Sequence, residues 1–411
     1  MDAPPSLARE ISPPRALKRR RLSVPAGKDA NAPKQDDVEP KLAAIEAGKA
    51  KIDDHLTYFT KRLSKASRQT APIVARLTRE DFAALYDGND HDHGNHFVVH
   101  QHNHPRAGVH YDLRLQFSKS SSISFALPKG LPGNPNSRSI GRMAIETRVH
   151  NYWNHLIESA SSKTGSLLIW DTGTYEVLPR KTASSNRNGI PSLQTTDDDS
   201  DGSDSPSPAA PTKLNNKCGG PGHENEKLIA AFQTRYIRLR LHGTRLPDNY
   251  TVILRLPTNE IIKRPTARRK SRKGAKTQQI ENPSDSENEE QLQPQEQGDE
   301  EDLDTDTDED AQTRATNAYP GSQNTIGSVH QRHWSLQLDR QNSGFVLDRS
   351  ESSGSKGTWV RGRDGGGFEA FIVRGRDHER SVVTGRLAKE VESDEGVEGY
   401  VGRAGWVGIE Y

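Results

Sequence analysis

The sequence predicts a mainly β protein: an antiparallel β-barrel with a few peripheral helices, set among long disordered segments. Three observations lead there. Between residues 97 and 177 the chain passes through short runs of alternating apolar and polar residues, divided by turn formers, with no long helical period among them. Hydrophobic residues make up only 31% of the 411, and the mean hydropathy is −0.89, too little apolar material for one core of that length. Blocks of a single charge sign flank the patterned region, and like charges in a row repel and stay extended.

Residues 1–50 read as a disordered basic arm. They contain Arg15-Ala-Leu-Lys-Arg-Arg-Arg-Leu22, a cluster that suits a nuclear address or a nucleic-acid contact, the plainer alternative being a solubilising tail. Residues 51–257 form the expected folded module. Ala43–Leu56 and Arg79–Tyr86 have helical periodicity, with Tyr58–Leu63 between them. Strands are predicted at Phe97–His102, Val109–Phe117, Ile123–Leu127, Met143–Thr147 and Leu167–Ile169. Pro128-Lys-Gly-Leu-Pro-Gly133 is a loop whose Lys129 either meets a phosphate or is merely exposed. Residues 182–225 lapse into Ser, Asp, Pro and Gly and read as a disordered insertion. A closing strand pair follows at Tyr236–Leu241 and Tyr250–Arg255, with Arg235, Arg238 and Arg240 as a candidate basic surface. Residues 258–325 form a linker, basic over Lys263–Lys276 and acidic over Glu281–Asp310, so the net charge of +1 hides local extremes. Residues 326–411 are Gly-rich with strand-like pieces at Trp334–Leu338, Gly344–Leu347, Thr358–Arg361 and Phe368–Val373. Trp334 and Trp359 there suit a core better than a ligand platform. One cysteine, Cys218, excludes a disulfide framework; no apolar run reaches membrane-spanning length and the N-terminus has no signal-peptide core, so a soluble intracellular protein is expected.

The richest segment is Phe97-Val-Val-His-Gln-His-Asn-His-Pro-Arg-Ala-Gly-Val-His-Tyr-Asp-Leu-Arg-Leu115. In an extended strand alternate side chains share a face, which puts His110, Asp112 and Arg114 on one side and Val109, Tyr111, Leu113 and Leu115 on the other. The preceding strand has His100 and His102 on one face and His104 at the turn, so a hairpin brings one of them beside His110. Two imidazoles and a carboxylate suit a divalent transition metal such as Mn, Fe or Zn. The plain alternative is a solvated sheet face.

These residues carry a resemblance. The stretch Phe97–Gln116, then Phe125-Ala-Leu-Pro-Lys-Gly130, then Arg142-Met-Ala144 with His150, then Ser166-Leu-Leu-Ile-Trp-Asp-Thr-Gly-Thr-Tyr175, resembles in order the signature of the 3′-phosphoesterase module of bacterial DNA ligase D. With the closing strands, the resemblance covers roughly Tyr58 to Pro257. It implies a metal site of His110, Asp112 and a first-strand histidine. Counting forward from Phe97 gives His102, counting back from His110 gives His104, and strand parity favours His102. It further implies phosphate-contacting Arg114 and Arg142, a third active-site histidine at His150, and an N-terminal active-site arginine at Arg62. The acidic residue expected after that arginine is Leu63 here, and neither Tyr152 nor Trp153 can be assigned to the module's tyrosine.

The chemistry is consistent with such a role. Negative charge that grows on phosphoryl oxygens during displacement is offset by a metal and by arginines, whose planar fork binds two oxygens at once. A protonated His150 would supply a proton to the leaving sugar oxygen or hold the phosphate. The resulting expectation is a phosphoesterase that uses a divalent metal, manganese foremost, to remove a 3′-phosphate or a 3′-terminal ribonucleotide from DNA 3′ ends. It would prepare broken ends in the nucleus for a repair ligase or polymerase. Two other classes compete: a nucleic-acid-binding module without catalysis, and a non-haem iron oxygenase built on His110, Asp112 and a distant histidine.

Overall fold

A computed structural model describes residues 52, 54–180, 222–257, 308–349, 357–403 and 405–409. The basic arm, the Ser/Asp-rich insertion up to residue 221, Cys218 and both charged blocks of the linker as far as residue 307 lie outside the described residues.

Helix α1 (His55–Ala66) starts where the Asp54 side chain accepts from the Thr57 amide, and it buries Phe59 and Leu63, one turn apart. The expected gap at Tyr58–Leu63 is therefore helix, because Asp54 supplies an N-cap at that point. Helix α2 (Arg79–Asp87) is capped by Thr78, which accepts from the Asp81 amide. The strands that follow are β1 (His96–His104), β2 (Gly108–Gln116), β3 (Ser121–Leu127), β4 (Gly141–Glu146), β5 (His150–Asn151), β6 (Ser159–Ser161) and β7 (Gly165–Val177), with a 3-10 turn at Tyr152–Leu156. After helix α3 (Glu224–Gln233) come β8 (Tyr236–Gly243) and β9 (Thr251–Arg255), then helix α4 (Asp308–Thr316), β10 (His333–Leu338), the separate hairpin β11 (Phe345–Asp348) and β12 (Thr358–Arg361), and helix α5 (Ala388–Asp394). Phe368–Val373, expected as a strand, is irregular.

Eight strands close an antiparallel barrel in the order β1-β2-β3-β4-β10-β9-β8-β7, with β7 returning to pair with β1. Closure pairs every barrel edge. Strand β10 enters between β4 and β9, pairing Leu336 with Arg142 on one side and with Leu254 on the other. The barrel therefore extends past residue 257, where the sequence suggested a boundary. The amphipathic alternation of Trp334, Leu336 and Leu338 explains the insertion: all three are buried in the barrel core, between the more exposed His333, Ser335 and Gln337.

Inside, Tyr111, Leu113, Leu115, Phe125, Trp170, Leu239, Val252 and Trp334 share one core. A second apolar cluster lies against the outer face of β1 and β7, where α1, α2 and the 3-10 turn bring Phe59, Leu63, Phe82, Tyr86, Tyr152 and Leu156 onto Val98 and Ile169. The Trp170-Asp-Thr-Gly motif has a structural account. Asp171 accepts from the amides of Thr172, Thr244, Arg245 and Leu246 and so pins the turn after β8, and a Cβ on Gly173 would meet the His242 carbonyl. Arg238 does not join a basic surface; it is buried, paired with Asp339 at 2.9 Å. Among the described residues no helix is long and apolar enough to cross a membrane.

Candidate metal centre

The β1–β2 hairpin is in register with His102 opposite His110 and His100 opposite Asp112. Opposed residues point to the same side of a sheet, so His100, His102, His110, Asp112 and Arg114 all face outward, while Gln101, Tyr111 and Leu113 face the barrel interior. Gly108, at φ 77, supplies the left-handed conformation that ends the turn and sets this register.

His102, His110 and Asp112 each offer one ligand atom, all within 4.8 Å of one another. The Nε2–H of His102 donates to the Thr164 carbonyl at 2.9 Å, which turns Nδ1 toward Asp112, 3.5 Å away. The Nδ1–H of His110 donates to the Gly108 carbonyl at 3.0 Å, leaving Nε2 3.5 Å from the same carboxylate. A carbonyl can only accept, so each ring keeps a proton on its far nitrogen and turns its other nitrogen to the cluster, the orientation a metal ligand takes. Burial pushes the Asp112 carboxyl up, but His110, His102 and Arg114 outweigh it and hold it well below the usual carboxylate range. Burial likewise lowers the His110 imidazole, against the pull of Asp112. The set is two imidazoles and a carboxylate, and it fits a divalent transition metal.

His104 stays at the turn. Its Nδ1 accepts from the amides of Arg106 and Ala107, and its ring stands 5.6 Å from that of His102. Arg114 is buried beside the cluster, with Nη2 3.5 Å from Asp112. His150 contributes from β5. Its Nδ1–H donates to the Arg148 carbonyl at 2.8 Å, so Nε2 is unprotonated, and burial together with the nearby Arg114 charge holds the ring well below its usual range.

Arg142 and Arg62 are not brought to the cluster. Asp112 pairs with Ala126, and Ala126 with Ile145, so Ile145 shares the outward face and Arg142, three residues away in β4, faces inward. There its Nη1 donates to the Ser139 carbonyl, and burial pulls the guanidinium below its usual range. Arg62 projects from α1 to Glu395, 2.7 Å away.

Two further histidines crowd the outward face. His100 is fully buried, with Nε2 3.2 Å from the Ile157 carbonyl, and His155 is buried near His100, Arg114 and His150, its imidazole pushed well below the usual range chiefly by burial. The even spacing of His100 and His102 already pointed to that face. Nothing local in the sequence marks His155, which arrives on the 3-10 turn.

Comparison with known proteins agrees with this picture. The model of the DNA Ligase D 3′-phosphoesterase domain matches residues 100–254. The "Multifunctional non-homologous end joining DNA repair protein LigD" of Mycobacterium tuberculosis (strain ATCC 25618 / H37Rv) is 33% identical over 132 residues, 31% of this chain and 15% of that protein. The "Multifunctional non-homologous end joining protein LigD" of Mycolicibacterium smegmatis is 30% identical over 145 residues, 34% of this chain and 16% of that protein. The chain thus spans about a sixth of the length of the curated relatives it matches. These relatives are bacterial, and bacteria have no nucleus, which overturns the expected nuclear location read from the basic runs. Family model, relatives and hairpin converge on one segment: residues 100–254 match the DNA ligase D 3′-phosphoesterase domain.

Proposed function

We propose that the chain is a phosphoesterase that uses a divalent metal, manganese foremost, to remove a 3′-phosphate or a 3′-terminal ribonucleotide from DNA ends, leaving them ready for a ligase or polymerase. The observation that carries this reading is the convergence of His102, His110 and Asp112, each imidazole locked by a backbone carbonyl, with Arg114 buried against the same carboxylate. Such a metal, when bound, would supply Lewis-acid stabilisation of a phosphoryl oxygen.

The residues of this chain do the rest. Arg114 is positioned to offset charge on the phosphoryl group, in a half-dry setting where a charge-assisted hydrogen bond is stronger than in water. Neutral His150 presents Nε2 as an acceptor, so it receives a proton at that atom before it can give one to a leaving oxygen. An incoming phosphate, by neutralising Arg114, would raise the affinity of His150 for that proton. His104 flanks the centre from the turn. This reading gives Arg142 a role in the barrel interior and Arg62 one in holding the C-terminal segment.

The test is cleavage of two primer–templates, one ending in a 3′-phosphate and one in a 3′-ribonucleotide, by the purified chain in manganese or in chelator. His110→Ala and Asp112→Ala are each expected to lower release by about 10³-fold or more. Absence of release in manganese, with DNA binding retained, would leave a binding module without catalysis as the better account.

A further inference from the structure

A cavity of 380 Å³ opens on the far side of the β1–β2 turn. Its near wall is Asn103, His104, Gly108 and Val109, and its far wall is drawn from the C-terminal segment: Arg374, Arg376, His378, Tyr400, Arg403 and Trp406. That segment lies beyond the residues matched by the phosphoesterase family.

The lining is basic and aromatic. Against three arginines it sets one acid, Asp377. Arg376 is already committed, clasped by Glu392 at 2.8 Å and stacked 5.2 Å from the Tyr400 ring centre. Arg374 and Arg403 are exposed, and among the described residues neither guanidinium forms an ion pair, although the Arg374 amide donates to Glu379 at 3.2 Å. Both aromatic rings are anchored by their polar ends: the Tyr400 hydroxyl donates to the Asn103 carbonyl, and the Trp406 indole donates to the Pro128 carbonyl at 2.7 Å. Rings fixed in this way lose little freedom when something stacks on them. The volume falls within the range of about 300–1,000 Å³ typical of small-molecule sites, enough for one nucleotide. Because His104 belongs to this cavity and its ring is 5.6 Å from that of His102, cavity and metal centre share a wall.

We propose that the cavity is a subsite for one nucleotide of a single-stranded polynucleotide, its base stacked on Tyr400 or Trp406 and its phosphate held by Arg374 and Arg403, when the end of that strand occupies the adjacent centre. The proposal deepens the phosphoesterase reading and rests on it. It makes the unpaired strand next to the reacting end part of what is recognised, by contacts that tolerate any base.

The test is fluorescence anisotropy of a labelled six-nucleotide oligothymidylate titrated with the full chain in chelator, where no hydrolysis intervenes, at several salt concentrations. For Arg374→Ala/Arg403→Ala, and separately for Arg403→Glu, the expected result is at least tenfold weaker binding. For the double variant the slope of log K against log salt should also flatten by roughly 0.7, the share of one phosphate contact on a single strand. Quenching of tryptophan emission by the unlabelled oligonucleotide, lost in Trp406→Phe, supports the stacking. Variants that bind with wild-type affinity and slope overturn the subsite, as does displacement of the oligonucleotide by inorganic phosphate at equal concentration. The phosphoesterase reading fails separately: a wild-type chain that binds the strand yet releases nothing in manganese retires the chemistry and retains the subsite.

Discussion

His96 and His155 meet nitrogen to nitrogen, Nδ1 to Nδ1 at 3.1 Å, in a buried pocket walled by Tyr86 and Tyr152. Only one ring can donate across that contact, so the two facing nitrogens cannot both carry a proton. Burial pushes His96 down to about 3 and His155 well below its usual range. Folded-state affinity for protons is thus depressed relative to the unfolded chain. The stability these rings contribute is therefore fully present above about pH 6.5 and is lost as the pH falls toward 3. Urea unfolding at pH 7, 6 and 5 should show a loss approaching about 1.4 kcal/mol per pH unit per histidine, and a flat profile would contradict it. Titration of this kind was not legible in the sequence, because His155 reaches His96 only once the 3-10 turn folds over β1. What could be read was the shared face of His110, Asp112 and Arg114, since a two-residue period needs no tertiary knowledge. The inward turn of Arg142 could not, because its face depends on which β4 residue pairs with β3.

Among the elements, β10 has the most at stake in one carboxylate. Glu146 at the end of β4 is fully buried and accepts from the Trp334 indole at 2.8 Å, from the Arg332 guanidinium at 2.8 Å and from the Val329 amide at 2.7 Å. Removing it strands a buried indole N–H and a partly buried cation. Glu146→Ala should cost about 3–5 kcal/mol in denaturant unfolding, and a cost below about 1 kcal/mol would show that β10 is held by packing alone. Most strands were readable from alternation, with ends displaced by a few residues. Strand β7 was the exception, read as Leu167–Ile169 but running for 13 residues, because Asp-Thr-Gly within it looks like a turn. Buried Asp171, satisfied by four amides, lets the chain stay extended there.

At the scale of the whole molecule the residues matched by the family do not close the barrel by themselves, because β10 lies outside them. The C-terminal segment binds the barrel through Tyr111 and Glu379 at 2.5 Å and through Arg386 and Glu158 at 2.9 Å, both ends buried in each case. A fragment of residues 52–257 lacks β10 and these contacts. It should show no cooperative thermal transition, whereas residues 52–409 should melt as one unit; calorimetry of the two distinguishes them. A cooperative short fragment would mean that β4 and β9 can pair directly. Their separation by a strand from so late in the chain was invisible locally, since a short run such as His333–Leu338 does not say which edges it joins. That order of construction matters during synthesis. Roughly eighty residues separate the end of β9 from the end of β10, and at about 5–20 residues per second the ribosome needs roughly 4–16 s to make them. For those seconds the nascent sheet is a gapped cylinder with two raw edges open to other strands, a window in which chaperones, or neighbouring copies on the same messenger, decide whether the last stave is fitted.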